Sequence, residues 1–223
     1  MTLSTKLAIF DLDGTLLDTR DDLAYACNHA LEALGYPGHP LQAYNTMVGR
    51  GIRNLFRAAL PQDRVNGENL DRMTEVFVPY YNAHIADRTR PYPGIAGMLD
   101  RITKAGVAVA LASNKYQEGA ELLMARFFPK IRFARILGQR EGHPIKPDPG
   151  IVFQCMGTVP DIRKEEVVYA GDSDVDMQTG ANAGVRTAGV LWGFRTRAEL
   201  EAYRPWLLAA DVPELENALL KEG

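Results

Sequence analysis

Short apolar runs that end in polar residues alternate along the chain with stretches whose apolar positions recur three or four residues apart. Residues 6–10 (KLAIF), 107–113 (VAVALAS) and 167–170 (VVYA) are nearly unbroken apolar segments, too short for helices, and predict buried parallel strands. Residues 131–137 and 185–191 are weaker strand candidates. Strands separated by amphipathic helices predict an α/β fold, a Rossmann-like parallel sheet flanked by helices. The three strong runs lead into Asp11, into Ser113-Asn114-Lys115 and into Gly171-Asp172. Open parallel sheets bind ligands outside the carboxyl ends of their strands, so these positions are the first candidates for a site.

Between the first and second strands the pattern changes. Leu23, Cys27, Ala30, Leu31 and Leu34 share one helical face, with Asp18 as N-cap and Gly35 as stop. Further helices are predicted over 52–60 and 68–86, the latter with Leu70, Met73, Phe77, Tyr80 and His84 near helical spacing. Pro79 inside it predicts a kink or break, because proline removes one backbone donor and crowds the preceding turn. A crossover between neighbouring parallel strands needs little more than one helix. The excess predicts a small all-helical cap domain over 17–92, inserted into a core of 1–16 and 93–223, with hinges at 16–18 and 90–94. The same helices packed directly on the sheet is the alternative.

Composition narrows the classes without choosing among them. The 223 residues are 46% hydrophobic and 24% charged, as in an ordinary soluble domain. A formal net charge of −3 lacks the basic footprint of a nucleic-acid binder. Cys27 and Cys155 form no metal-binding pattern and read as free thiols of a reducing compartment. No apolar run approaches the roughly 20 residues of a membrane span, and the first strand begins too early for a signal peptide. A cytoplasmic protein without membrane or nucleic-acid partners is expected.

The chemistry begins at Asp11-Leu12-Asp13-Gly14-Thr15. A bare pair of carboxylates two apart is usually a surface turn; one that follows a buried strand and precedes a Gly-Thr turn is more specific. One carboxylate can attack phosphorus, the other can serve as acid and base, and the pair invites a hard cation, most simply Mg²⁺. Ser113 offers a hydroxyl to a phosphoryl oxygen, or else caps a helix over 117–127. Lys146, between Pro144 and Pro147, offers an ammonium to offset carboxylate and phosphate charge, and Asp148 reads as a cap for the helix beyond Pro149. Asp172 and Asp176 stand four apart, where both can face one cation if a helix begins near Ser173. Asp174 is left to solvent or capping.

As an ordered set, DLDGTLLDT, SNK, IKPDP and GDSDVD resemble the motifs of the haloacid dehalogenase superfamily over nearly the whole chain. That resemblance implies a phosphatase in which Asp11 is the nucleophile and Asp13 the acid/base, whose backbone carbonyl also reaches Mg²⁺. It implies that Ser113, Asn114 and Thr15 bind substrate, that Lys146 holds nucleophile and phosphate, and that Asp172 ligates the metal with Asp176 acting through water. Val48-Gly49-Arg50-Gly51 and Leu191-Trp192-Gly193-Phe194 are similar to the phosphoglycolate phosphatase branch, where Gly49 and Arg50 would meet substrate and a guanidinium suits a carboxylate. Trp192 reads as structural.

Residues 16–93 contain no lysine, unlike phosphonatases with a cap lysine. Leu23 stands where a related mutase carries histidine. The expected substrate is a small phosphorylated metabolite, with pyrophosphate and nucleoside monophosphates as alternatives, and the expected state is a monomer or homodimer. A phospho-accepting signalling module is the remote alternative, but such modules are shorter and uncapped.

Overall fold

The computed structural model describes residues 4–221; residues 1–3 and 222–223, assigned above to the core, lie outside the described residues. Strand β1 (Leu7–Phe10) leads to the short β2 (Leu17–Asp18) and then to four helices: α1 (Arg20–Ala33), α2 (Tyr44–Met47), α3 (Ile52–Ala59) and α4 (Gly67–His84). The short β3 (Arg90–Pro91) returns the chain to α5 (Ile95–Lys104), β4 (Ala108–Tyr116), α6 (Gln117–Phe127) and β5 (Arg135–Gln139). Helix α7 (Gly150–Met156), β6 (Val167–Gly171), α8 (Asp174–Ala183), β7 (Arg186–Val190), α9 (Arg197–Glu201), β8 (Leu207–Ala209) and α10 (Val212–Leu220) complete it.

Six strands form one parallel sheet in the order β5-β4-β1-β6-β7-β8. β1 is central, with Leu7 paired to Ala108 on one side and Val167 on the other. Its two faces are both covered, which is why its sequence shows no polar alternation. Ala8 and Phe10 join a cluster with residues of α5, α6 and α10, whereas Leu7 and Ile9 join Val152 and Cys155 of α7. The chain lays down β4 and β5 on one side of β1 and then β6 to β8 on the other. The crevice at this reversal lies outside the carboxyl ends of β1, β4 and β6.

The four helices after β2 pack chiefly on one another, α1 and α3 each against α4. Phe77 stacks on Tyr81 at 5.2 Å and meets the edge of Phe56 at 5.2 Å. Their apolar residues also continue into the cluster on the Phe10 face of the sheet. The two predicted crossings come together as one antiparallel ladder, Leu17 with Pro91 and Asp18 with Arg90. Neither this ladder nor β8 was expected, because two- and three-residue strands leave no pattern.

Three local expectations need correction. Asp18 is occupied in the ladder, so Thr19 takes the N-cap position of α1, although Asp18 Oδ1 still accepts from Arg20 N at 3.4 Å. Helix α4 runs unbroken through Pro79; Glu75 and Pro79 are both exposed, so the carbonyl that loses its donor can turn to water. The buried stripe of α4 passes through Tyr81 rather than Tyr80, while Tyr80 stacks between His29 and His84 on the flank.

Candidate active site

Asp11 is the first residue beyond β1, and its N–H still continues the sheet by donating to Ala170 O at 2.9 Å. The chain then turns tightly, with Gly14 in the left-handed region at φ 86°. A Cβ there would stand 2.3 Å from Asp172 Oδ2, so only glycine lets the two loops meet. Asp13 is fixed from two sides: Thr19 Oγ1 donates to its Oδ1 at 2.7 Å, and Lys115 Nζ donates to Oδ1 at 2.9 Å and Oδ2 at 3.3 Å.

Lys146 lies between the carboxylates. Its Nζ is 2.9 Å from Asp11 Oδ1, an ion pair without hydrogen-bond alignment, so Asp11 Oδ1 is a buried oxygen with no hydrogen-bond partner. The same ammonium donates to Asp176 Oδ1 at 2.6 Å and to Tyr169 Oη at 2.9 Å. Asn114 holds the Lys146 backbone, accepting from its N–H at 2.9 Å and donating to its carbonyl at 3.3 Å; Nδ2 also donates to Gly49 O at 3.2 Å. Asn114 therefore ties β4, the Lys146 loop and the loop before α3 together. Ser113, buried on the same strand, lines the cleft with its Oγ accepting from Lys115 N at 3.3 Å.

Asp172 follows β6 and is held by Thr15 Oγ1 at 3.1 Å and Phe194 N at 2.7 Å. Asp176, in the first turn of α8, accepts on Oδ2 from Ser173 N at 3.0 Å and Ser173 Oγ at 2.6 Å, a capping box that fixes its rotamer. Asp11, Asp172 and Asp176 are all buried, and each offers an oxygen within 4.8 Å of the other two. Burial pushes the Asp11 carboxyl up to about 6; Lys146 pulls it down, and Asp176 and Asp13 push it further up. Burial beside Asp176 and Asp11 likewise holds Asp172 well above the carboxylate range. Burial opposes the charge on Lys146, but Asp11 and Asp176 outweigh it and hold its ammonium well above the usual lysine value.

Among the described residues, Asp11, Asp13, Asp172 and Asp176 thus meet two cationic side chains, Lys115 and Lys146. The negative excess and the oxygen-only donors fit a hard divalent cation. A cleft of about 380 Å³, its open mouth included, adjoins this cluster. Asp11, Asp13, Ser113, Asn114 and Lys115 line one side, and Leu23, Val48, Ile52 and Leu55 with the backbone of Gly49 and Gly51 line the other.

Two expected substrate contacts are absent from this lining. Arg50 turns out of the cleft and pairs with Asp174 Oδ2 at 2.5 Å. Gly49 and Gly51, on either side of Arg50, both have positive φ. Thr15 is buried against Asp172, supporting that carboxylate instead of lining the cleft. Trp192 Nε1 donates to Thr15 O at 3.0 Å, the structural part expected of it. Sequence reasoning put Lys115 at a candidate strand end without giving it a role, and it missed Thr19 and Tyr169. Lys115 had one available signal, its place two residues beyond Ser113 on a strand already read as site-forming.

A central parallel sheet that gathers a carboxylate pair, a lysine and a metal-fit acidic cluster at one topological switch defines a hydrolase of the α/β class. The family model for haloacid dehalogenase-like hydrolases matches residues 8–190, and the chain belongs to that family. Within it the chain falls among the phosphatases. The phosphoglycolate phosphatase of Mesorhizobium japonicum is 32% identical over 197 residues, covering 87% of this chain and 86% of that protein. That of Agrobacterium fabrum is 31% identical, covering 98% and 94%. A solved structure from Lactobacillus delbrueckii subsp. bulgaricus superposes with a TM-score of 0.89 at 30% identity, covering 99% of this chain and all of that one. Among the described residues no helix is long and apolar enough to cross a membrane.

Proposed function

We propose that the chain is a Mg²⁺-dependent phosphatase that hydrolyses 2-phosphoglycolate to glycolate and phosphate through an aspartyl-phosphate on Asp11. The observation that carries this reading is the buried Asp11 carboxylate, ion-paired with Lys146 at 2.9 Å and lining a cleft that also holds Asp13. The relatives named phosphoglycolate phosphatase support the substrate.

Asp11 attacks phosphorus as the bond to the glycolate oxygen breaks, and Asp13 gives that oxygen its proton. Asp13, now a carboxylate, takes a proton from water as the water attacks the phosphoryl group, which frees phosphate and restores Asp11. Thr19 and Lys115 keep Asp13 aimed through both steps, and Lys146 holds Asp11 in place. Mg²⁺, held by Asp11, Asp172 and the Asp13 carbonyl with Asp176 behind, would neutralise charge on the phosphoryl oxygens. The helices of residues 17–92 act as a cap that closes over the small substrate and excludes bulk water.

A phosphate-release screen across small phosphoesters, pyrophosphate and nucleoside monophosphates tests this. The highest kcat/KM belongs to 2-phosphoglycolate, chelation abolishes turnover, and Asp11→Asn lowers kcat at least about 10⁴-fold. Near wild-type turnover in Asp11→Asn would discard the mechanism, and a clear preference for pyrophosphate or a nucleotide would discard the substrate.

A further inference from the structure

A phosphorylated carboxylic acid brings two anionic groups into the cleft, yet only one cationic side chain lines it among the described residues. Lys146 is not that side chain. Its Nζ donates to Asp176 and Tyr169 and is ion-paired with Asp11 at 2.9 Å, so its charge is already committed among these three. Arg50 is turned away toward Asp174. Lys115 differs from both. Among the described residues its buried Nζ donates to the Asp13 carboxylate alone, Oδ1 at 2.9 Å and Oδ2 at 3.3 Å, and retains donor capacity. The Tyr81 ring of α4 lies 4.8 Å from it and holds the ammonium by cation–π attraction. The facing wall of Leu23, Val48, Ile52 and Leu55, with the backbone of Gly49 and Gly51, offers a carboxylate no cationic side chain.

We infer that Lys115 recognises the second anionic group of the substrate, a carboxylate, and thereby sets a preference for small phosphorylated carboxylic acids. This rests on the phosphatase reading above and deepens it. Lys115 stands two residues beyond Ser113 on β4, and both line the cleft. The same ammonium meets Asp13, so carboxylate recognition and the acid/base group share one anchor.

The test is the ratio of kcat/KM for 2-phosphoglycolate to that for isobutyl phosphate, which matches it in shape but lacks the carboxylate charge. Lys115 also supports Asp13, so both esters lose rate in Lys115→Met; the ratio separates the two roles. A charge-assisted hydrogen bond predicts a fall in the ratio of about 10- to 100-fold. Lys115→Arg restores most of the ratio. Thr19→Val, which disturbs Asp13 from its other side, leaves it within about threefold. Equal losses for both esters in Lys115→Met would confine Lys115 to Asp13 and overturn the inference. A wild-type enzyme indifferent to the carboxylate would also overturn it while leaving the phosphatase reading intact. Release of phosphate from neither ester would remove that reading itself, and the inference with it. If Lys115→Met does not fold by circular dichroism, Lys115→Gln decides by the same ratio.

Discussion

Replacing Lys146 by methionine removes one charge from a buried cluster while keeping most of the side-chain length. The lost ammonium leaves Asp11, Asp172 and Asp176, mutually within 4.8 Å, without a cation, and breaks contacts of 2.9 Å and 2.6 Å. Removing one partner from a buried ion pair typically costs about 3–5 kcal/mol, a large share of a domain's roughly 5–15 kcal/mol. The metal-free variant at pH 8 is therefore expected to lose about that much in urea unfolding. Saturating Mg²⁺ should stabilise the variant more than wild type relative to chelator, because the ion then supplies the missing charge. The pH dependence has a definite sign. The Asp11 carboxyl is already raised to about 6, so the folded state takes up its proton before the unfolded state does, and stability falls as pH rises through that range. Without Lys146 this crossing moves higher still, and the gap between variant and wild type narrows from pH 8 toward pH 5. A loss below about 1 kcal/mol in chelator, or a gap that widens on acidification, would refute the account.

Two further perturbations separate structural from functional charges. Arg163, Lys6 and the Arg163 N–H hold the Glu166 carboxylate down at about 2, so its stabilisation is complete above its ordinary 4.5 and fades as pH falls toward 2. The Tm difference between wild type and Glu166→Gln should accordingly be larger at pH 7 than at pH 3; a constant difference would show that the ion pairs carry none of it. Arg50→Ala should leave the preference for 2-phosphoglycolate over isobutyl phosphate unchanged, because Arg50 pairs with Asp174 outside the cleft. A selective loss on the carboxylated ester would return Arg50 to the substrate.

Much of this molecule could be read along its chain. Buried strands announce themselves as unbroken apolar runs, and β1, β4 and β6 fall within a residue or a few of the segments that predicted them. Asp11, Asp13, Ser113, Lys146 and Asp172 were legible because each stands at or near the end of such a strand or in a restricted loop, where local sequence limits the backbone. The helices of residues 17–92 were legible in the same way, from the recurrence of Leu23, Cys27 and Leu31 or of Leu70, Met73 and Phe77.

What the chain could not declare are contacts whose partners are far apart in sequence. The hairpin of Leu17 and Asp18 with Arg90 and Pro91 exists only because the chain returns, and that pairing moved the N-cap from Asp18 to Thr19. Arg50 carried the right group for a carboxylate, but the fold pairs it with an aspartate 124 positions away. Lys115 stood at a candidate strand end with no role assigned, and the fold set it against Asp13, 102 positions away, and Tyr81. The sequence by itself determined which groups were available and which strand ends would present them, because periodicity and turn chemistry are local. The tertiary structure alone decided which charges meet in the dark of the cleft and which turn to solvent. That choice depends on desolvation and on pairings across the fold, and no window of neighbouring residues encodes either.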